Sequence, residues 1–558
     1  MIAENGQVWD LQKLRVVFRI PTDAPLPDGW TLADLQKKYE IPVAIPNSIA
    51  VSASGNRVSV AEPLSVWNVD SRTQTFVGEA TGKAFEQIIF SADDSQAIAR
   101  FHGKDFLQVW DVAKGTLADR LTLGQTSKGR LALTDDSSVL LVGSQKWNIK
   151  TRKKLETRLD SMPSVESKHG TVVLAPNNKV AATCDVNGIV RFWDVESGKC
   201  FREHRIANCG IDDVASSYTF SNDSNSFVIS TNSYASQEFA IHLVEPFSNS
   251  LPKRLFSSRQ VSGWWPGMPV LSADNQWLFT NREKPGVEIW HVPSGLRYSE
   301  VIGSSFSQRL TMFATSPSAN VIALADNKTR SLDSSPQSIF FFERESGEFI
   351  GSRSGHRDHI RSLAFSHNGK YLVSGSNDRT GIIWSFELQG KSFDGPDSAA
   401  SRILEGDAAI AYPLMWSLAT DGVRAVRIAN SYIKPDRDLS PDAIQLLLRE
   451  LGEPQYRRRV EASKRLREMG SFAFHAIADK IKKTRDLETR RRLQEIIEQP
   501  PAPARSLLRD LRLIQVLEYL DTSDSRQVLK RISHESPFGP RHDAATLALD
   551  RLKKRRPN

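Results

Sequence analysis

Short runs in which apolar and polar residues alternate recur along the first two thirds of the chain, each broken by a polar turn. The clearest is GHRDHIRSLAFSHNGKYLVSGSNDRTGIIW, residues 355–384. Ile360, Ser362 and Ala364, then Tyr371, Val373 and Gly375, repeat with the period of two that sends alternate side chains to opposite faces of a strand. His367-Asn368-Gly369-Lys370 is the turn between these strands, and Asn377-Asp378-Arg379 leads into a third strand ending at Trp384. The turn half of this unit recurs at 51–60, 90–99, 133–142, 174–183, 220–229, 271–280, 315–324 and 365–374, eight copies in all. A short closing strand follows each copy, marked by Trp67, Trp110, Trp147, Trp193, the region of His242, Trp290, Phe342 and Trp384.

The closers stand 37 to 52 residues apart, bracketing the ~40 to 45 of a four-stranded blade. On these motifs the chain resembles the WD40-repeat family over residues 1–390. The resemblance implies an all-β propeller of eight four-stranded antiparallel blades. Seven is the alternative, should the irregular 200–250 region or the copy around Trp147 not form a blade. It also implies that a hydrogen-bonded tetrad pins the 355–384 unit, made here of His356, Ser374, Asp378 and Trp384. A buried indole N–H needs an acceptor, a hydroxyl supplies one, and an imidazole passes the chain on to a carboxylate. The other copies depart from this pattern. Around Trp193, Thr183 takes the hydroxyl position, but Asn187 and Val165 stand where the carboxylate and histidine belong. Blades closed by Trp67, Trp110, Trp147, Trp193, Trp290 and Phe342 are therefore expected to rely on apolar packing. Residues 6–19, GQVWDLQKLRVVFR, read as a closer and a fourth strand without the first two. In the family such a segment completes the final blade, so residues 13–19 are expected beside Trp384. The Pro-bounded stretch 21–46 reads as a spacer, with a lid over one face as the alternative.

Past the Gly-, Ser-, Asp- and Pro-rich stretch 388–401 the period changes to that of a helix. Ser440 and Pro441 open one helix and Gly452 closes it. Phe474, Ile477 and Ile481 fall on one stripe after Ser471, as do Ala545, Leu549 and Leu552 farther on. About eight amphipathic helices between 406 and 554 predict an all-α helical-repeat domain over 406–558, joined to the propeller by a linker at 391–405. EPQYRRRVEASKRLREMG, residues 453–470, resembles a HEAT-like unit, and the whole chain resembles large bacterial WD-repeat proteins with a helical extension. That resemblance implies architecture rather than activity.

Charge is unevenly spread. Residues 401–558 hold 31 Lys and Arg against 22 Asp and Glu, while residues 1–400 hold 42 against 43. The basic excess therefore belongs to the helices. Arg457, Arg458, Arg490 and Arg491 are the candidate partner surface, together with the paired Trp264 and Trp265 of SGWWPGMP, whose ordinary reading is to fill the groove between blades. Nucleic acid is a further candidate partner of the helical domain. Against it, acidic residues interleave the basic ones at helical spacing, and no aromatic residues alternate with them as a stacking platform. The three cysteines, Cys184, Cys200 and Cys209, show no metal-ligand or redox spacing and read as small apolar fillers.

No motif for catalysis, metal or cofactor binding emerges. GEATGKAF at 78–85 is one residue short of a phosphate loop and ends in Ala where a hydroxyl would meet magnesium. The absence of a leader and of a long apolar run predicts a soluble, cytoplasmic protein with no membrane partner. The expected function is a non-enzymatic scaffold that binds other proteins or peptides, with a hydrolase site in a central channel as the rival reading.

Overall fold

The structure, a computed structural model, describes residues 16–20, most strands and many turns between 49 and 385, and residues 393–554 with breaks at 435–439, 470, 499–503 and 536–538. Its strands pair into eight four-stranded antiparallel sheets. Seven are consecutive in sequence, covering 49–77, 85–122, 131–155, 172–205, 214–259, 270–302 and 313–356. The copy around Trp147 and the 200–250 region each contribute such a sheet. The last consists of three strands between 360 and 385 completed by Val16–Ile20. That outer strand runs antiparallel to Gly381–Ser385, with Val16 opposite Trp384 and Ile20 opposite Gly381.

The first strands of the sheets pack side by side in a cyclic order. Ile49–Val51 lies against Phe85–Phe90, which meets Leu131–Leu133, then Val172–Leu174 and Val214–Phe220. On the other side Phe313–Thr315 meets Ile360–Phe365, and that strand returns to Ile49–Val51. This is a β-propeller. Apolar side chains fill the wedges between sheets: Ile98, Leu107 and Val109 pack with Leu131, Leu140 and Trp147 of the next sheet. Phe192 packs edge-on against Phe220 and Phe227 of its neighbour.

Ten helices follow among the described residues: α1 (Asp397–Leu404), α2 (Ala408–Thr420), α3 (Gly422–Tyr432), α4 (Pro441–Glu450), α5 (Tyr456–Glu468), α6 (Ser471–Lys483), α7 (Leu487–Glu498), α8 (Arg505–Leu520), α9 (Ser523–Glu535) and α10 (Pro540–Lys554). The expected linker at 391–405 is corrected by α1, which begins behind the extended Pro396 and buries Ala400 and Leu404. The segment before α1 is clamped rather than loose. Arg424 of α3 hydrogen-bonds the carbonyls of Phe393 and Gly395, and Arg424 and Arg427 both hold Asp397. Turn-forming residues mark where a chain changes direction, and here tertiary partners consume the backbone groups they expose. Ser440 caps α4 by accepting from the Ala443 amide at 3.1 Å.

The helices pack on the propeller. One continuous core joins Val321, Ala323, Ile339 and Phe341 of the propeller to Leu404, Tyr412, Leu418, Leu513 and Leu517 of the helices. Helix α2 is apolar nearly all round instead of amphipathic, burying Tyr412, Leu414, Met415 and Leu418 in this core while Ile410 stands exposed. A second core, Ile444, Leu448, Leu466, Ile477 and Leu493, binds α4 to α7 to one another. Phe474 of α6 leaves that bundle to pack edge-on against Tyr298 of the propeller, 5.9 Å between ring centroids.

Candidate protein-interaction surface

Three of the four tetrad residues meet as a buried chain. The Trp384 indole N–H donates to the Ser374 hydroxyl at 2.8 Å, and that oxygen lies 2.7 Å from Nε2 of His356. An oxygen that accepts from the indole can donate its own proton to Nε2, which leaves the imidazole proton on Nδ1. Asp378 lies outside the described residues. Gly355 is required beside this network, since a Cβ there would stand 3.0 Å from Ile382 Cδ1 and from Trp384 Cη2. These groups are consumed in holding a sheet together. They form a structural network in a wedge whose outer strand comes from the chain's opening residues.

The blades expected to depend on apolar packing alone are corrected by their hydrogen bonds. Trp193 donates to Thr183 Oγ1 at 3.0 Å, so the hydroxyl is used without the rest of the set. Trp110 donates to Gln108 Oε1 at 3.1 Å, and Trp147 to Gln145 Oε1 at 3.2 Å. Gln145 Nε2 in turn donates to the Leu123 carbonyl of the preceding sheet at 2.7 Å. Residues two apart in a strand share a face, so Gln-x-Trp places an acceptor beside the indole. In the sheet of 214–259 His242 lies opposite Ile229, two places from Ala240, the residue opposite Thr231, with Nε2 3.4 Å from Thr231 Oγ1. Burial holds the His242 imidazole neutral, with its pKa lowered to about 4. Phe342 is buried and meets Phe349 edge-on. Trp290 lies in Gly286–His291 and packs beside Val292 and Leu278. Trp67 lies in Ser65–Asn68.

Cys184 is buried, but Cys200 is exposed, because it opens an outer strand whose side chains face water. Cys209, Trp264 and Trp265 lie outside the described residues. No group of three or more His, Cys, Asp or Glu able to hold a metal ion occurs among the described residues. No helix among them is long and apolar enough to cross a membrane.

On the helical side, Arg457 and Arg458 of α5 and Arg490 and Arg491 of α7 are exposed. Arg491 pairs with Glu495 at 3.0 Å, and Arg490 donates to the Thr484 carbonyl at 3.0 Å. Sequence reasoning missed the apolar residues beside them. Tyr456 and Leu487, the first residues of α5 and α7, are 66% and 76% exposed, and Val460 is also exposed one turn after Tyr456. Arg459 lies over the Tyr456 ring at 5.8 Å. Hydrogen bonds from Thr489 hold Asp486, immediately before α7, below its ordinary pKa, and Arg459 adds to the effect. Arg459 thus links the exposed Tyr456 of α5 to Asp486, the residue before the exposed Leu487 of α7.

Residues 347–385 match the WD domain, G-beta repeat. The match takes in the strand Phe349–His356 of the preceding sheet and the three strands between 360 and 385 of the last. Farther-reaching similarity is to a nuclear distribution protein nudF of Aspergillus niger, 25% identical over 38% of this chain and 48% of that protein. The Aspergillus terreus nudF is 30% identical over 22% of this chain and 29% of its own length. A periodic tryptophan protein 2 homolog of Neurospora crassa is 36% identical over 16% and 10% of the two chains. The chain therefore spans less than half the length of these relatives. These relatives are fungal, whereas bacterial WD-repeat proteins are expected from the sequence. The computationally designed Ika8 protein superposes with a TM-score of 0.46 at 16% identity, over 61% of this chain and 95% of that one.

Proposed function

We propose that the protein is a non-enzymatic scaffold whose propeller and helical flank act as one rigid body for binding other proteins. In this reading the eight sheets are the eight blades of one ring, residues 1–390, and the helices form a HEAT-like array. The observation that carries it is the α5–α7 surface, where Tyr456, Val460 and Leu487 stand in water among Arg457, Arg458 and Arg490. Exposed aromatic and aliphatic anchors framed by arginine suit a desolvated contact with an acidic protein partner. WD40-repeat relatives whose names concern nuclear distribution are compatible with a protein-binding role.

The test compares capture from a native lysate by the full chain and by a Tyr456→Ala, Leu487→Ala variant. Proteins bound by the parent and depleted at least about tenfold by the variant support the reading, as expected when two interface anchors are truncated. Identical protein profiles would reject this surface. Recovery chiefly of nucleic acid, weakening steeply with added salt, would transfer the helical flank to the alternative reading.

A further inference from the structure

Between the propeller and helices α5, α8 and α10 lies a cavity of about 460 Å³. That volume falls in the ~300 to 1,000 Å³ range of small-molecule sites, which favour boundaries between structural units. Its propeller wall is aromatic. Trp277 sits between His291 and Tyr298, with ring centroids 5.2 and 4.9 Å away, and the Arg344 guanidinium covers the indole at 4.4 Å. The helices contribute Leu508, Leu511 and Leu547, with Arg467 from the last turn of α5.

The charges on this wall are unequally satisfied. Glu343 is held by Arg512, Glu518 by Arg551, and Glu345 by Arg344 and the Tyr298 hydroxyl. Asp274 accepts from the Ser272 hydroxyl and the Gln276 amide. Among the described residues the Arg467 side chain makes no hydrogen bond or ion pair, and its Nε is buried. The Arg344 side chain is 9% exposed, and its Nε is also buried without an acceptor. Guanidinium donors withdrawn from water without an acceptor are costly, and a carboxylate presents the oxygen pair that matches them.

We propose that this junction cavity binds a carboxylate attached to an apolar body, the carboxylate at Arg467 and Arg344 and the body between the aromatic wall and the leucines. A free organic acid and the acidic side chain of a peptide share this chemistry. The cavity is separate from the α5–α7 surface, so the protein-binding reading can fail while this one holds.

The full-length protein is titrated calorimetrically with phenylacetate and with the peptide acetyl-Leu-Glu-Leu-amide, and with phenylacetamide and acetyl-Leu-Gln-Leu-amide as neutral counterparts. At least one acid is expected to bind at millimolar concentration or below, about tenfold more tightly than its amide. Arg467→Gln is expected to weaken that binding about tenfold while leaving thermal unfolding of the unliganded protein unchanged, because no existing partner is lost. Binding of phenylacetate alone assigns a free acid, and binding of the peptide alone assigns an acidic segment. The proposal is overturned if neither acid binds at about 10 mM, if acid and amide bind equally, or if Arg467→Gln has no effect.

Discussion

Arg512 of α8 donates hydrogen bonds of 2.8 and 2.7 Å to the two carboxylate oxygens of Glu343, joining the helices to the propeller across 169 residues of chain. Both side chains are almost wholly buried, and the remaining guanidinium nitrogen donates to the carbonyls of Leu404 and Gly406 at the end of α1. Removing one partner of such a pair strands a charge in the interior. Arg512→Met is therefore expected to cost about 3–5 kcal/mol, and adding Glu343→Leu to recover much of the loss. Urea unfolding of the single and double variants measures this. Equal stability of parent and single variant would show that the pair does not hold the two parts together.

Gln145 bridges two neighbours, accepting from Trp147 and donating to the Leu123 carbonyl, whereas Gln108 accepts from the Trp110 indole and its Nε2 is buried with no acceptor among the described residues. Each buried group left without its partner costs about 1–3 kcal/mol. Gln145→Leu should therefore destabilise more than Gln108→Leu. Denaturant midpoints at constant slope test the order, and the reverse order would remove the bridge from the account.

The neutral His242 makes stability sensitive to acid. Its folded pKa of about 4 lies below the unfolded value of 6.5. Between those values the unfolded chain binds the proton and the folded one does not, so stability falls as pH falls through that window. The loss from pH 7 to pH 5 is about 2 kcal/mol for this group. His242→Gln should flatten the decline by that amount in urea titrations at the two pH values, and an unchanged decline would assign it to other groups.

Deleting residues 1–20 removes the outer strand that pairs Val16–Ile20 with Gly381–Ser385. The exposed ladder then offers unpaired N–H and C=O groups to other chains. The truncated protein is expected to associate and to be cleaved after Ser385 under limited proteolysis, as followed by light scattering and mass spectrometry. A monomeric, protease-resistant product would mean that the ring does not need this strand.

Much of the repeat was legible because a strand's period of two and its polar turns are local properties. Ser374 and Trp384 share one sheet, and their spacing carries the family resemblance that also brings in His356. Gln-x-Trp carried an equally local signal in QVW and QKW, but it was hidden behind the expectation of a hydroxyl or a purely apolar wedge. Tyr456 and Leu487 were not legible as a surface, since their exposure depends on which faces of α5 and α7 the Ile444–Leu493 core consumes.

The sequence by itself determined the recurring strands, the turns, the aromatic closers and the change to helical period after residue 400, all consequences of side-chain alternation within a few residues. Only the tertiary structure decided that the stretch before Leu404 is clamped, that Arg512 meets Glu343, and that a cavity opens beside Arg467 and Arg344. Such contacts join residues tens to hundreds of positions apart. Their partners are selected by the packing of whole elements, and no local period records that choice.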